Sequence, residues 1–361
     1  MKKLIVFGNA ECEYWAREFG AEVYPKTHEY IEAAKKLISN GIKPIIQVGS
    51  IEELDELLFF PKGSLSIHLY ADETYSPILN RKLFGIESAS IIIRSYPVNS
   101  FSLRSILKSQ LSGLVDFFNN INPRNFILFI KMSFAGMIMA IRQRRISKLE
   151  SLSSKTTILL PLGYTNLFCQ SYIEYMDKNY SVKISDNESL IKSRTENLIR
   201  ICSDSKKFDF GFVGQTGSLA RQFAVNAIRD YGNMLILREK FGGTLGGNEA
   251  TIESGAEYVE VLMKSKYSIC PPGNFSGNSF RIVESLICGS FPIVSSHVLT
   301  DPLYRDPINL NAKSRWIHSW EQRIETISNM TQNEIEKLSN KATLKLVGQI
   351  EFSRLKMIGE L

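Results

Sequence analysis

Between Lys266 and Ser296 the chain reads KYSICPPGNFSGNSFRIVESLICGSFPIVSS, an apolar β-type run, a turn rich in Gly, Ser and Asn, a helical pattern and a second β-type run. That succession suits an anion. The first backbone N–H groups of a helix have no intrahelical partner, and the positive end of its dipole points into the preceding turn, so phosphate oxygens are favoured there. Gly273 and Gly277 allow close approach of the backbone to such a ligand. At about 100° per residue, Ile282, Val283, Leu286 and Ile287 share one packing arc. Arg281 and Glu284 fall outside it, placed for a ligand or for each other as an i,i+3 ion pair.

A second set of residues could move a proton. Asp72 and Glu73 follow the β-type run LSIHLY (65–70), and loops after strand C-termini line the cleft of doubly wound sheets. A transfer onto a hydroxyl needs a base within hydrogen-bond reach, and a carboxylate or histidine meets that need. The pair reads equally as an ordinary polar turn or helix N-terminus. His68 sits mid-strand, where a satisfied core histidine is the expectation, and Glu11 and Glu13 after the first strand are further candidates. His28, His297 and His318 have no metal-ligand spacing. The five cysteines form no Cys-x-x-Cys pair, so neither a disulfide framework nor zinc is indicated and a reducing compartment is expected.

The elements that must position these groups alternate in the manner of a parallel sheet wrapped by helices. Strands are expected at 4–8, 44–49, 65–70, 90–96 and 156–163, with helices over 29–39 and from Ser50, whose Glu53 completes a capping box. A second alternating unit has strands at 208–214, 233–239, 266–272 and 291–296 and helices at 218–230, 256–265 and 279–288. Residues 170–207 are polar with weak periodicity, and the boundary between halves falls near PLGYTNLF. The expected division is an N-terminal Rossmann-like domain over 1–160, a C-terminal one over 161–330 and a helical tail over 331–361.

At 361 residues, 44% hydrophobic and 22% charged, the chain has the make-up of a folded globular protein, which excludes disordered and collagen-like classes. Its 43 Lys plus Arg against 37 Asp plus Glu give +6, an excess that suits an anionic ligand or membrane surface and is too weak to argue nucleic acid. The four apolar residues before Gly8 are too few for a secretion signal, and a cytoplasmic protein is expected. Phe126 to Ile141 is mostly apolar, but Lys131 interrupts it and it falls short of the ~20 residues that span a bilayer. Arg142, Arg144, Arg145 and Lys148 follow directly. Such a segment either docks on an anionic membrane surface or is a buried helix with a solvated basic end.

Residues 160–297 resemble the exostosin-like glycosyltransferases. The matching positions run in order through Phe212-Val213-Gly214-Gln215-Thr216-Gly217 with Arg221, Tyr258, Ser265-Lys266-Tyr267, Cys270-Pro271-Pro272-Gly273, Ser279-Phe280-Arg281-Ile282-Val283-Glu284 and Gly289-Ser290-Phe291-Pro292-Ile293, with PLGY at 161–164 upstream. The resemblance implies an α/β fold of GT-B architecture, two Rossmann-like domains facing across a cleft. It also implies transfer of a sugar from a nucleotide diphosphate donor to a glycan or lipid-linked acceptor in bacterial O-antigen or capsule synthesis, inverting and with no metal or other cofactor. Under it, Glu284 accepts from the ribose hydroxyls, and Arg221 and Arg281 hold the diphosphate. Gly214, Thr216, Gly217, Gly273, Asn278 and Ser279 complete the donor site. Pro272 stands where the family often has Arg or Lys, which removes one phosphate contact.

Two other readings share these residues. Gly214-x-x-Gly217-x-x-Ala220 after a strand also resembles the dinucleotide fingerprint of short-chain dehydrogenases and epimerases. The motif opens the second half, however, and no Tyr-x-x-x-Lys pair occurs in the chain. A sugar-nucleotide-binding module without turnover, working inside a polysaccharide assembly complex, would keep the same Arg221 and Glu284.

Overall fold

A computed structural model describes residues 3–8, 12–70, 76–95, 123–194, 206–214, 219–229, 231, 233–238, 252–271, 279–294 and 320–359. Leu4–Phe7 (β1), Ala21–Tyr24 (β2), Ile45–Val48 (β3), Leu65–Leu69 (β4), Ala89–Arg94 (β5) and Thr156–Leu159 (β6) pair in parallel in the order β2-β1-β3-β4-β5-β6. Parallel strands are covered on both faces, so they are written as unbroken apolar runs, and β1, β3 and β4 are buried at every position. A second parallel sheet takes Phe208–Gly214 (β7), Met234–Arg238 (β8), Ser265–Cys270 (β9) and Phe291–Val294 (β10) in the order β10-β9-β7-β8. Both sheets follow one plan. The chain steps from the first strand to one neighbour and then crosses back to the other side, which puts topological switch points between β1 and β3 and between β7 and β9.

The strand-linking helices of the first unit are Cys12–Phe19 (α1), Tyr30–Ser39 (α2), Ile51–Glu56 (α3), Pro77–Gly85 (α4) and Pro123–Leu152 (α5). Asn166–Tyr180 (α6) leads toward the second unit, which holds Leu219–Arg229 (α7), Ile252–Lys264 (α8) and Phe280–Ile287 (α9). Trp320–Ser328 (α10) and Gln332–Ile358 (α11) end the described chain. The capping box expected at Ser50 is present: its hydroxyl accepts from Glu53 N–H while the Glu53 carboxylate accepts from Ser50 N–H at 3.2 Å.

Two elements depart from the sequence reading. β2 (AEVY) escapes it because an edge strand of four residues, with Glu22 and Val23 only partly buried, leaves no apolar run. The polar, weakly periodic stretch expected from residue 170 instead opens inside α6. Phe168, Cys169, Tyr172 and Met176 there share one buried face at helical spacing while polar residues fill the rest.

Three clusters divide the interior. Ile5, Phe7, Ile46 and Val48 face α2, α3 and α4 on one side of the first sheet. Phe210, Phe212 and Ile269 pack with α7 and α10 on one side of the second. The remaining side of the first sheet, with Leu4, Val6, Ile45 and Ile93, meets helices of both units in a shared core, where Trp15 and Phe19 of α1, Phe168 of α6, Val259 of α8, Leu286 of α9 and Leu346 of α11 form one cluster. Arg354 Nε of α11 donates to the Phe19 carbonyl at 3.1 Å, and the buried Arg194 guanidinium donates to Thr343 and Ser339 hydroxyls of the same helix. The tail helix therefore ties the units together.

Leu346 is 3% exposed within that shared core. Leu346→Ala is expected to cost about 2–5 kcal/mol of unfolding free energy in urea, and a loss below about 0.5 kcal/mol, the range of ordinary surface substitutions, would detach α11 from the core.

Candidate functional site

The β7/β9 switch point gathers the chemistry. β7 ends at Gly214, whose φ of +152° is rarely adopted by an L side chain, and a Cβ there would lie 2.9 Å from Arg281 Nη2. Arg281, in the first turn of α9, donates from Nη2 to the Val213 carbonyl at 2.7 Å. Its guanidinium lies 5.2 Å from the Phe212 ring centroid and 5.9 Å from that of Tyr258. The missing side chain of Gly214 thus makes the space in which Arg281 reaches the end of β7.

Arg221, in the first turn of α7, is half-buried and approaches the same edge. Burial first, and then the neighbouring Arg281 charge, push its guanidinium below the ordinary arginine value. The two cations are thus held within electrostatic reach of each other, one of them losing solvent. Ser279 adds a donor. It is the N-cap residue of α9 in extended conformation, yet its hydroxyl makes no capping bond, and its buried Oγ has no hydrogen-bond partner among the described residues. Side-chain capping does not occupy the first amides of α9, whose dipole adds positive potential.

Glu284 sits one turn further along α9 and is 3% exposed. Its Oε1 accepts from Thr165 N–H at 3.0 Å and Thr165 Oγ1 at 3.1 Å, and its Oε2 accepts from Tyr258 OH at 2.6 Å. Burial raises its pKa, opposed by the bonds from Tyr258 and Thr165 and by the Arg281 charge. The alternative of an i,i+3 surface ion pair between Arg281 and Glu284 does not hold, since Glu284 is buried on Thr165 and Tyr258. α9 is buried from Ile282 to Ile287 because it packs between the second sheet and α11, so a residue off the apolar arc meets protein rather than water. Thr165, the N-cap of α6, and Tyr258, on α8, are the partners. Tyr258 belongs to the motif quoted from the sequence. Thr165 does not, and its signal is its place just before the Phe168, Cys169, Tyr172 spacing.

Of the other residues singled out, Thr216, Gly217, Gly273 and Asn278 lie outside the described residues, as do Asp72, Glu73, Glu11, Gly277, His297 and His318. Glu13 is half-buried in the first turn of α1, close to the Cys169 thiol, which burial and then Glu13 push up to about 12. Cys169, Cys270 and Cys288 are buried free thiols.

His68 is a core residue. It is 2% exposed on β4, its Nδ1 lies 3.0 Å from Gln47 Nε2 on β3, and its ring meets Trp15 edge-on at 5.1 Å. Burial lowers its pKa to about 3. In the unfolded chain it titrates near ~6.5, so between these values the unfolded state binds the extra proton. Its contribution to stability is complete above ~6.5 and is lost as pH falls toward the folded value, by about 1.4 kcal/mol per pH unit. Between pH 7 and pH 5, urea unfolding of the wild type is expected to lose about 2 kcal/mol relative to His68→Gln, which lacks this titration; parallel curves would place His68 in water.

No protein-family model matches the chain, and no curated protein matches it significantly.

Proposed function

We propose that the protein is a glycosyltransferase that holds a nucleoside diphosphate sugar at the β7/β9 switch point. The observation that carries this reading is the convergence of Arg221 and Arg281 beside the N-terminus of α9 at the end of β7. Ligands of open α/β sheets bind beyond strand C-termini at such points, and paired guanidiniums with helix amides match diphosphate oxygens. The ordered resemblance across residues 160–297 supplies the class of reaction, and two parallel units of one strand plan are compatible with a GT-B arrangement.

In this reading the diphosphate rests on Arg221, Arg281, Ser279 and the α9 amides, with Gly214, Thr216, Gly217, Gly273 and Asn278 added to the donor site by the resemblance. Glu284 fixes Thr165 and Tyr258 through the bonds it accepts. The resemblance would have the Glu284 carboxylate accept from a ribose hydroxyl as well, beside the three bonds it takes from Thr165 and Tyr258 among the described residues. Asp72 or Glu73 takes the proton of the acceptor hydroxyl as its oxygen bonds the anomeric carbon and the bond from that carbon to the diphosphate breaks, with inversion. The negative charge developing on the diphosphate is taken up by the two arginines and the helix N-terminus, a role that protein donors fill without a metal. The acceptor is a glycan or lipid-linked oligosaccharide, and the reaction belongs in the cytoplasm, where bacterial nucleotide sugars are made.

Calorimetric titration with nucleoside diphosphates and the matching nucleosides tests the donor site. Arg221→Ala and Arg281→Ala are expected to weaken the diphosphate by about 1.5–3 kcal/mol each and the nucleoside much less; equal losses for both ligands would place these arginines away from phosphate. For the base, Asp72→Asn or Glu73→Gln, made singly, is expected to slow transfer roughly 10² to 10⁴-fold with donor affinity retained. Wild-type rates in both variants would move the base elsewhere, and donor binding without any transfer in the wild type would leave a non-catalytic module.

A further inference from the structure

α5 runs unbroken for 30 residues, and its two halves behave differently. Near its C-terminal end Gln143 and Ile146 are buried at 1% and 0% exposure, which anchors the helix on the fold. Earlier in the helix, Phe126, Ile127, Ile130, Phe134, Met137 and Ile141 are each at least half exposed. At 100° per residue these six side chains lie within an arc of about 100°, and Ile138, less exposed, lies at its edge. Arg144, Arg145 and Lys148, all exposed, fall on that same arc, while Gln143 and Ile146 fall on the opposite side. One continuous stripe therefore faces out, apolar along some 22 Å by the rise of ~1.5 Å per residue and basic beyond it. The alternative of a buried helix with a solvated basic end does not hold for these six apolar side chains. No helix among the described residues is long and apolar enough to cross a membrane.

We propose that this stripe docks the protein on an anionic lipid surface, with its apolar part in the headgroup and acyl boundary and Arg144, Arg145 and Lys148 on lipid phosphates. Exposed apolar area of this extent marks an interaction face, and charge decides the partner. Residues 123–149 contain six Lys or Arg and no Asp or Glu. The 3-4-3-4 spacing of Ile127, Ile130, Phe134, Met137 and Ile141 would also fit a helical partner. The same stripe on a second copy, however, offers no carboxylate. In a parallel pair the basic residues meet their own kind, and in an antiparallel pair they run past a first turn that carries Arg124. A phosphate-bearing surface answers both parts of the stripe at once. This inference does not rest on the glycosyltransferase reading.

The full chain is tested by co-sedimentation with vesicles of phosphatidylcholine alone and of phosphatidylcholine mixed with phosphatidylglycerol. Binding to the mixed vesicles that weakens with added salt is expected, with little binding to the neutral ones. Replacing Arg144, Arg145 and Lys148 together by Gln is expected to reduce partitioning roughly a hundredfold, at ~1 kcal/mol per basic residue. Phe134→Ser with Met137→Ser is expected to reduce it by more than roughly tenfold, and both variants should keep the wild-type melting temperature because every altered side chain is at least half exposed or lies on the exposed arc. Absent binding, equal binding to both vesicle types, or a dimer that the Phe134 and Met137 substitutions convert to monomer without any vesicle binding would overturn the proposal.

Discussion

A single carboxylate taken out of water organises the second half of the molecule. Burying an ionised carboxyl costs several kcal/mol unless donors replace its hydration, and Glu284 meets that demand with Thr165, at the start of α6, and Tyr258, on α8. The consequences are positional. α9 is held by one end to the segment that follows the first sheet and by its apolar arc to the second, so the two units meet at a fixed carboxylate rather than at a greasy patch alone. Glu18 on α1 repeats the device, accepting from Tyr164 OH at 2.9 Å and Leu190 N–H at 2.9 Å in the segment that follows the first sheet, while burial raises its pKa.

Fixing Glu284 also fixes Arg281, one turn earlier on the same helix. The guanidinium is aimed back across the end of β7, where the φ and bare Cα of Gly214 admit it. Arg221 is then forced to share a desolvated edge with a like charge. Perturbed groups of this kind gather at functional sites, and structural ion-pair networks perturb them too. The shared core beneath them is built from α1, α6, α8, α9 and α11.

How much of this was legible in the sequence follows from what each signal measures. LIVFG, PIIQVG and LSIHLY identify β1, β3 and β4 because strands covered on both faces cannot hide their composition. Ser50 and Glu53 announce α3 because capping is a local contract between residues three apart. Arg281 could be named from the strand, turn and helix succession, whose physics is local too, whereas Gly214, Arg221 and Ser279 were named through the resemblance. The fate of Glu284 could not, since its partners Thr165 and Tyr258 lie 119 and 26 residues away in sequence and no periodicity records that distance. Likewise α6 shows only a few aromatic residues among polar ones, although those few sit at the centre of the shared core. For His68 the mid-strand position was enough: a polar ring on a strand covered on both faces needs a partner inside, and Gln47 on the adjacent strand provides it.

The central claim is that the second switch point holds a diphosphate. Co-crystallisation with a nucleoside diphosphate measures this directly. The account predicts phosphate oxygens within hydrogen-bond distance, about 3 Å, of the Arg221 and Arg281 guanidiniums and of the first amides of α9. A diphosphate seated at the β1/β3 switch point instead, or one in contact with neither arginine, would contradict it.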